Sequence, residues 1–259
     1  MENISRPIRT FRSRFFDTDD PDYLCGYEIF FIWIICAILG ACLEMVYSAV
    51  TNGYVENRSS LVYGPFGLAY SIGGVLMTIL LHNDRYKPNW KIFLKAFLIG
   101  SVAEYIMSLG MELVFHHVAW DYSNMPLNIN GRICLLYSCF WGLLGLAWTK
   151  LACPFFHKLI CAIPKEPGKI IFWIVFVFFL YDCIISAEAA LRFNARQEGI
   201  PPQTRMEAVL DKQFPDWYLK KTFANSMGID DEGNISDQTL SGQDSHNPIV
   251  GDGASKAAA

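Results

Sequence analysis

The feature that most constrains this chain is a set of long, nearly uninterrupted apolar runs. Five segments, roughly Ile29–Val50, Leu61–Leu81, Ile92–Phe115, Ile133–Phe155 and Ile170–Leu191, each approach or exceed the length of a membrane span. A bilayer core needs about 20 apolar residues in helical form. Helix is the state such segments require, because backbone exposed to lipid must satisfy its own hydrogen bonds. Over the whole chain 53% of the residues are hydrophobic and only 18% are charged, below the roughly 25% of a soluble domain. The fold class expected is therefore all-α: a polytopic integral membrane helix bundle of about five transmembrane helices. A short apolar stretch at His157–Ile163 is too short to span, and either extends the fourth helix or lies at the interface.

Four regions follow. Residues 1–26 form a polar, basic lead, and residues 27–193 a transmembrane domain. Residues 194–226 form a polar segment, in which Met206, Val209, Leu210 and Phe214 recur at helical spacing and predict a short amphipathic helix over Gln203–Leu219. Residues 227–259 are rich in Gly, Asp, Asn and Ser, and read as a disordered tail.

Lys and Arg alternate between the polar connections. The lead carries Arg6, Arg9, Arg12 and Arg14, the second loop Arg85, Lys87 and Lys91, and the fourth Lys150, Lys158, Lys165 and Lys169. The first loop has Arg58 and the third Arg132. By the positive-inside rule the N-terminus is cytoplasmic and the first and third loops face outward. An odd number of spans then puts the tail outside, against which Arg192 and Arg196 count. The expected location is the cell membrane.

Net charge is −4, which gives no sign of nucleic-acid binding. The eight cysteines form no CxxC pair and read as small buried hydrophobes. His116 and His117 are adjacent, so their rings diverge, and no metal site is expected. No cofactor motif is present.

Polar residues inside apolar segments are the informative ones. Ser101, Glu104, Ser108 and Glu112 fall on one narrow helical stripe. A carboxylate at that depth costs a few kcal/mol unless protonated, paired or in a wet cavity. The stripe is either packing glue or the wall of a functional cavity. Glu44 lies near the outer end of the first span, and Asp182 shares a face of the last span with Ser186. Glu188 and Arg192 read as a local i, i+4 pair. Arg132 opens a membrane helix, where the macrodipole favours anions, so it needs an acidic partner or an anionic ligand. Glu112, Asp121 and Glu44 are on its side. Gly64-Pro65 suggests a break or re-entrant path at the start of the second segment.

The third loop runs Trp120-Asp121-Tyr122-Ser123, then Pro126 and Asn128, then Gly131-Arg132-Ile133-Cys134. That pattern resembles the signature of the ABC-transporter type IV (CmpB-like) membrane family. Asn57-Arg58, Gly64-Pro65 and Tyr70 resemble the family's other motif. Here Ser59 stands where the family usually has Gly, and Gly67 and Leu68 where it often has Cys and Pro. The resemblance covers about residues 25–215 and implies the membrane component of a transporter. The chain has no GxxxxGK[ST], so ATP dependence would need a separate ATPase subunit.

Three readings stand open. The first is a transport or permease component with an outward-facing polar cavity. The second is a membrane-embedded enzyme acting on a lipid or lipid-linked substrate. The third is a non-catalytic assembly or sensor protein. Glu44, Asn57, Arg58, Ser101, Glu104, Ser108, Glu112, Asp121, Tyr122, Asn128, Arg132 and Asp182 are the candidate cavity or binding residues, and membrane lipids are the expected surroundings.

Overall fold

The computed structural model describes residues 15–16, 24–224, 227–229 and 235–239. Helix α1 spans Gly26–Asn52 and starts where the Cys25 thiol accepts the Glu28 amide hydrogen at 3.4 Å. It stops at Gly53, whose φ of 78° is the left-handed conformation that closes a helix.

The chain then turns back into the bundle without forming a helix. The Gly67 amide donates to the Ala37 carbonyl at 2.8 Å, and Ala37 lies about 22 Å below the end of α1 at Asn52, at 1.5 Å per residue. Residues 59–67 are thus a re-entrant strap, bent at Gly64 (φ 83°), and α2 (Leu68–Leu81) begins deep in the bundle. With 14 residues α2 covers about 21 Å of an apolar layer roughly 30 Å thick. The second apolar segment is therefore strap plus short helix, because Gly64-Pro65 interrupts its first third.

A 3₁₀ turn at His82–Asp84 leads to α3 (Asn89–Phe115). The third loop holds strand β1 (His117–Val118) and a hairpin of β2 (Asn128–Ile129) with β3 (Ile133–Cys134). Asn130 and Gly131 both have positive φ, 53° and 66°, the mirror-image turn that Asn-Gly favours in tight hairpins. Helix α4 (Leu135–Ala147) passes through a π-helical segment, Trp148–Ala152, into α5 (Cys153–Cys161). Pro154 has no amide hydrogen and its ring crowds the Lys150 carbonyl, so the ladder slips there by one residue. The stretch before Ile163 therefore extends the fourth span. Helix α6 runs Lys165–Gln197.

Four of these helical rods, 26–51, 89–115, 135–161 and 165–197, are long and apolar enough to cross a membrane. Their outward surfaces agree. On α3, Val102 (58% exposed), Ile106 (61%) and Leu113 (68%) face out, while Ser101, Glu104 and Ser108 are at most 7% exposed. Such an inside-out distribution is stable only where the surroundings are apolar. Helices α3 and α4 approach closely because Gly100 and Gly142 carry no side chain. A Cβ on Gly100 would overlap the Trp141 side chain.

The amphipathic segment is two helices, α7 (Arg205–Gln213) and α8 (Asp216–Thr222), divided by Pro215. Leu210 and Phe214 are buried against α6, whereas Met206 and Val209 are exposed. Arg192 does not make the local Glu188 pair expected of it. Its guanidinium binds both oxygens of Asp211 at 2.9 Å, and Arg196 adds bonds to Asp211 and Asp216 at 2.5 and 2.6 Å. Beyond α8, β4 (Met227–Ile229) pairs with β1 and with β5 (Ile235–Thr239). The other tail residues, and most of the basic lead, lie outside the described residues. The segment after α6 thus meets the first and third loops at one end of the bundle, called here the motif end. The loops at 82–88 and 162–164 lie at the opposite, basic end.

The Asp211 carboxyl is held below its ordinary range by hydrogen bonds from Arg192 first and Arg196 next. A depressed folded-state value gives stability that is present above the unfolded value, near 3.9, and lost as pH falls through the folded one. Amide exchange over residues 205–222, corrected for its intrinsic pH dependence, is expected to accelerate only below about pH 4. Asp211→Asn should exchange fast throughout and show no such step; a step of wild-type size in that variant would assign it to another group.

Candidate functional site

The motif end gathers the candidate residues by three routes. The first is the strap. Glu44 on α1 accepts from Tyr70 Oη at 2.6 Å and from Arg58 at 3.3 Å, and Arg58 Nε also donates to Glu56 at 3.1 Å. Asn57 is a local brace, its Oδ1 accepting from the Ser59 amide and hydroxyl. Asp182, fully buried on α6, accepts the Tyr63 amide at 3.1 Å and the Ser186 hydroxyl at 3.2 Å. Ser186 Oγ in turn accepts the Val62 amide at 2.8 Å. Two side chains of α6 therefore supply the hydrogen bonds that a non-helical backbone needs at membrane depth.

The second route is the α3 stripe. Ser101 donates to the Ser138 hydroxyl on α4 at 2.7 Å. Glu104 Oε1 accepts from Tyr122 Oη at 2.9 Å, and Oε2 from Trp141 Nε1 at 3.2 Å. Ser108 accepts from Arg132 at 3.3 Å, and Glu112 forms an ion pair with the same guanidinium. Arg132 also lies 5.8 Å from the Tyr105 ring centroid. The acidic partner that Arg132 needs is thus Glu112, one α3 carboxylate brought to the hairpin by the Asn-Gly turn.

The third route is the loop itself. Asp121 Oδ1 accepts the Ser123 amide at 2.9 Å and hydroxyl at 2.5 Å. Asn128 donates to the carbonyls of Ser123 and Met125 and accepts the Gly131 amide. These two residues shape the loop so that Tyr122 points down at Glu104 and Arg132 at Glu112. Burial first, and the Glu104 carboxylate next, push the Tyr122 phenol well above its ordinary range, so it stays a donor.

Ser101, Glu104 and Ser108 therefore face α4 and the third loop in a closed arrangement. A groove of about 210 Å³ lies between α1 and α4 over α2, lined by Cys36, Leu39, Leu43, Met77, Leu144 and Trp148 with Gly40 and Gly74. Tyr70 and Trp141 complete its wall, and their polar atoms reach through it to Glu44 and Glu104. Both aromatic residues escaped the sequence reading as site residues. Tyr70 had its motif position as a signal; Trp141 sits in an apolar run and had none. Tyr47 and Tyr137, whose hydroxyls meet at 2.8 Å, were equally silent.

Fold and site together define a polytopic helical membrane protein whose two polar motif loops close onto carboxylates of its spans. The chain matches the family described as Putative ABC-transporter type IV over residues 31–187. That is more than half of its length, and it belongs to that family. No curated protein and no solved structure matches it.

Proposed function

We propose that the chain is a permease-like transport component of a cell membrane, held here with its motif end closed. One observation carries this reading. Three contacts that tie polar loops to membrane-spanning helices, Arg58–Glu44, Tyr122–Glu104 and Arg132–Glu112, all lie at that end. If the loops lift together, three carboxylates lose partners around one opening, which becomes the outward-facing polar cavity. Unpairing them costs several kcal/mol, so opening needs a ligand or an energy source that favours the open state. The family membership supports a separate ATPase subunit as that source. The lysines and arginines at the basic end support a cytoplasmic N-terminus and outward motif loops.

Accessibility tests this. In a background without reactive native cysteines, Asn124→Cys should react at once with an impermeant thiol reagent added to intact cells. Ser108→Cys, at a position 2% exposed in the closed form, should react more slowly but to completion as the loops open. Complete protection of Ser108→Cys under conditions that label Asn124→Cys would leave a static assembly protein and remove transport. Protection of both would reverse the orientation.

The groove favours a second reading, a membrane enzyme acting on a lipid. Its walls are apolar, yet two of them end on the carboxylates Glu44 and Glu104, which could serve acid–base chemistry.

A further inference from the structure

We infer that the groove between α1 and α4 is a lipid site that takes one acyl chain of an amine-headed zwitterionic phospholipid. The inference deepens the reading of the groove's ligand and rests only on the chain's being a membrane protein, not on transport.

The chain end of the lipid is argued from volume and lining. An apolar cavity of about 150 Å³ stays dry and accepts benzene; this groove is larger, at about 210 Å³. The α1 residues that line it, Cys36 to Leu43, extend about 10 Å along the helix, so the space is elongated. Beside it Gly40 and Gly74 let α1 and α2 pack closely, since a Cβ on Gly40 would overlap the Tyr70 side chain and one on Gly74 the Cys36 thiol. The rim residues Leu39, Leu43 and Leu144 are 46%, 45% and 39% exposed on the surface of two helices that cross the membrane. The groove therefore opens sideways into the acyl layer, and the hydrocarbon at hand there is a lipid tail.

The headgroup is argued from charge. Leu43 and Tyr70 mark the end of the groove nearest the motif loops, and directly beyond them lie Glu44, Arg58 and Glu56. One guanidinium between two carboxylates leaves a single excess negative charge. Glu44 is a quarter exposed, with a side-chain exposure of 26%, and Arg58 19%, so both remain reachable. An ammonium group meets Glu44 there while the adjoining phosphate meets Arg58. A headgroup with phosphate but no amine brings negative charge to a site that already has an excess.

The test uses the full chain in nanodiscs doped with phospholipids carrying a photoactivatable diazirine on one acyl chain, headed by phosphoethanolamine or by phosphoglycerol. Adducts are mapped by mass spectrometry. They are expected to concentrate on residues 36–43 and 141–148 and to exceed those on the lipid-facing α6 residues Ile174 and Val177. The phosphoethanolamine probe should label the groove up to roughly five-fold more than the phosphoglycerol probe, the ratio equivalent to about 1 kcal/mol for a partly exposed ion pair. Leu144→Trp, which fills the mouth from an exposed position, should remove the groove adducts and spare those on α6. Leu39→Trp serves the same purpose should Leu144→Trp fold poorly. Glu44→Gln should keep the groove adducts and abolish the headgroup preference. Adducts spread evenly over α1, α4 and α6, or groove adducts unchanged in both tryptophan variants, would overturn the chain site. Equal labelling by the two headgroups in the wild-type protein would overturn the amine assignment. Since nothing in the readout requires transport, protection of Ser108→Cys in cells and failure of lipid labelling are separate results.

Discussion

Glu104→Ala is expected to loosen the motif end and lower the melting temperature of the purified protein more than any other single change in the stripe. Glu104 is 5% exposed and its carboxylate accepts from two donors, Nε1 of the buried Trp141 and Oη of the half-buried Tyr122. Truncation removes both acceptors at once. An unsatisfied buried donor costs about 1–3 kcal/mol, so the pair amounts to about 2–6 kcal/mol by the same scale. That is a large share of the roughly 5–15 kcal/mol that holds a typical fold. Glu104→Gln keeps one acceptor and turns its own NH₂ towards the other donor, so it should lose about half as much. Combining Glu104→Leu with Tyr122→Phe removes a donor along with the acceptor and should be milder than Glu104→Ala, because a buried polar group is costly mainly when its partner is missing. Thermal unfolding in one detergent, followed by tryptophan fluorescence, ranks the variants. A Glu104→Ala protein as stable as wild type would mean that water already fills the space around the carboxylate. The polar cavity would then be present in the closed form.

The same residues show what could be read before the fold was known. Ser101, Glu104, Ser108 and Glu112 are spaced to share a helix face, and side chains that are costly in lipid must turn inward. Their inward direction was therefore legible from spacing and burial cost alone. So was the need of Arg132 for an anion, because a guanidinium at the start of a helix opposes the macrodipole. The identity of the partners was not legible. Trp141 and Tyr137 reach the site from α4, and their distance from Glu104 and Tyr47 depends on how closely α3, α4 and α1 pack. The α3–α4 part of that packing is set by Gly100 and Gly142 against aromatic rings, a contact that no periodicity encodes. The second apolar segment shows the converse. Hydropathy sees one continuous run over Leu61–Leu81, whereas the bonds from the Tyr63 amide to the Asp182 carboxylate and from the Gly67 amide to the Ala37 carbonyl hold its first part as a strap. Only Gly64-Pro65 announced the break. Pro154 and Pro215 likewise shift a helix and divide one, in places where the apolar pattern continues unbroken.

Arg132→Ala is expected to destabilise the third loop by about 1–3 kcal/mol, less than the 3–5 kcal/mol seen when one member of a fully buried pair is removed. The discount follows from exposure: the Arg132 side chain is 15% exposed, but that of Glu112 is 33%, so water partly solvates the abandoned carboxylate. Three contacts are lost together, the Glu112 ion pair, the Ser108 hydroxyl and the face of the Tyr105 ring. The bond from Trp120 Nε1 to the Arg132 carbonyl, 3.0 Å, belongs to the backbone and survives. The hairpin should therefore stay formed while its dock on α3 weakens. Arg132→Lys still reaches one anion but cannot bridge Glu112 and Ser108 with a planar fork, and should fall between wild type and Ala. Glu112→Gln, which leaves the guanidinium its Ser108 and Tyr105 contacts, should be milder than either. The double variant Arg132→Ala with Glu112→Ala should be no less stable than Arg132→Ala alone, because the charge left without a partner is gone. The coupling energy from the four melting curves isolates the pair. It should be favourable and shrink as salt is raised, since both ends are partly exposed. Strict additivity of the two alanine substitutions would show that Arg132 is held by Tyr105, Ser108 and its own backbone, and that Glu112 is free to meet a ligand without first giving up a partner.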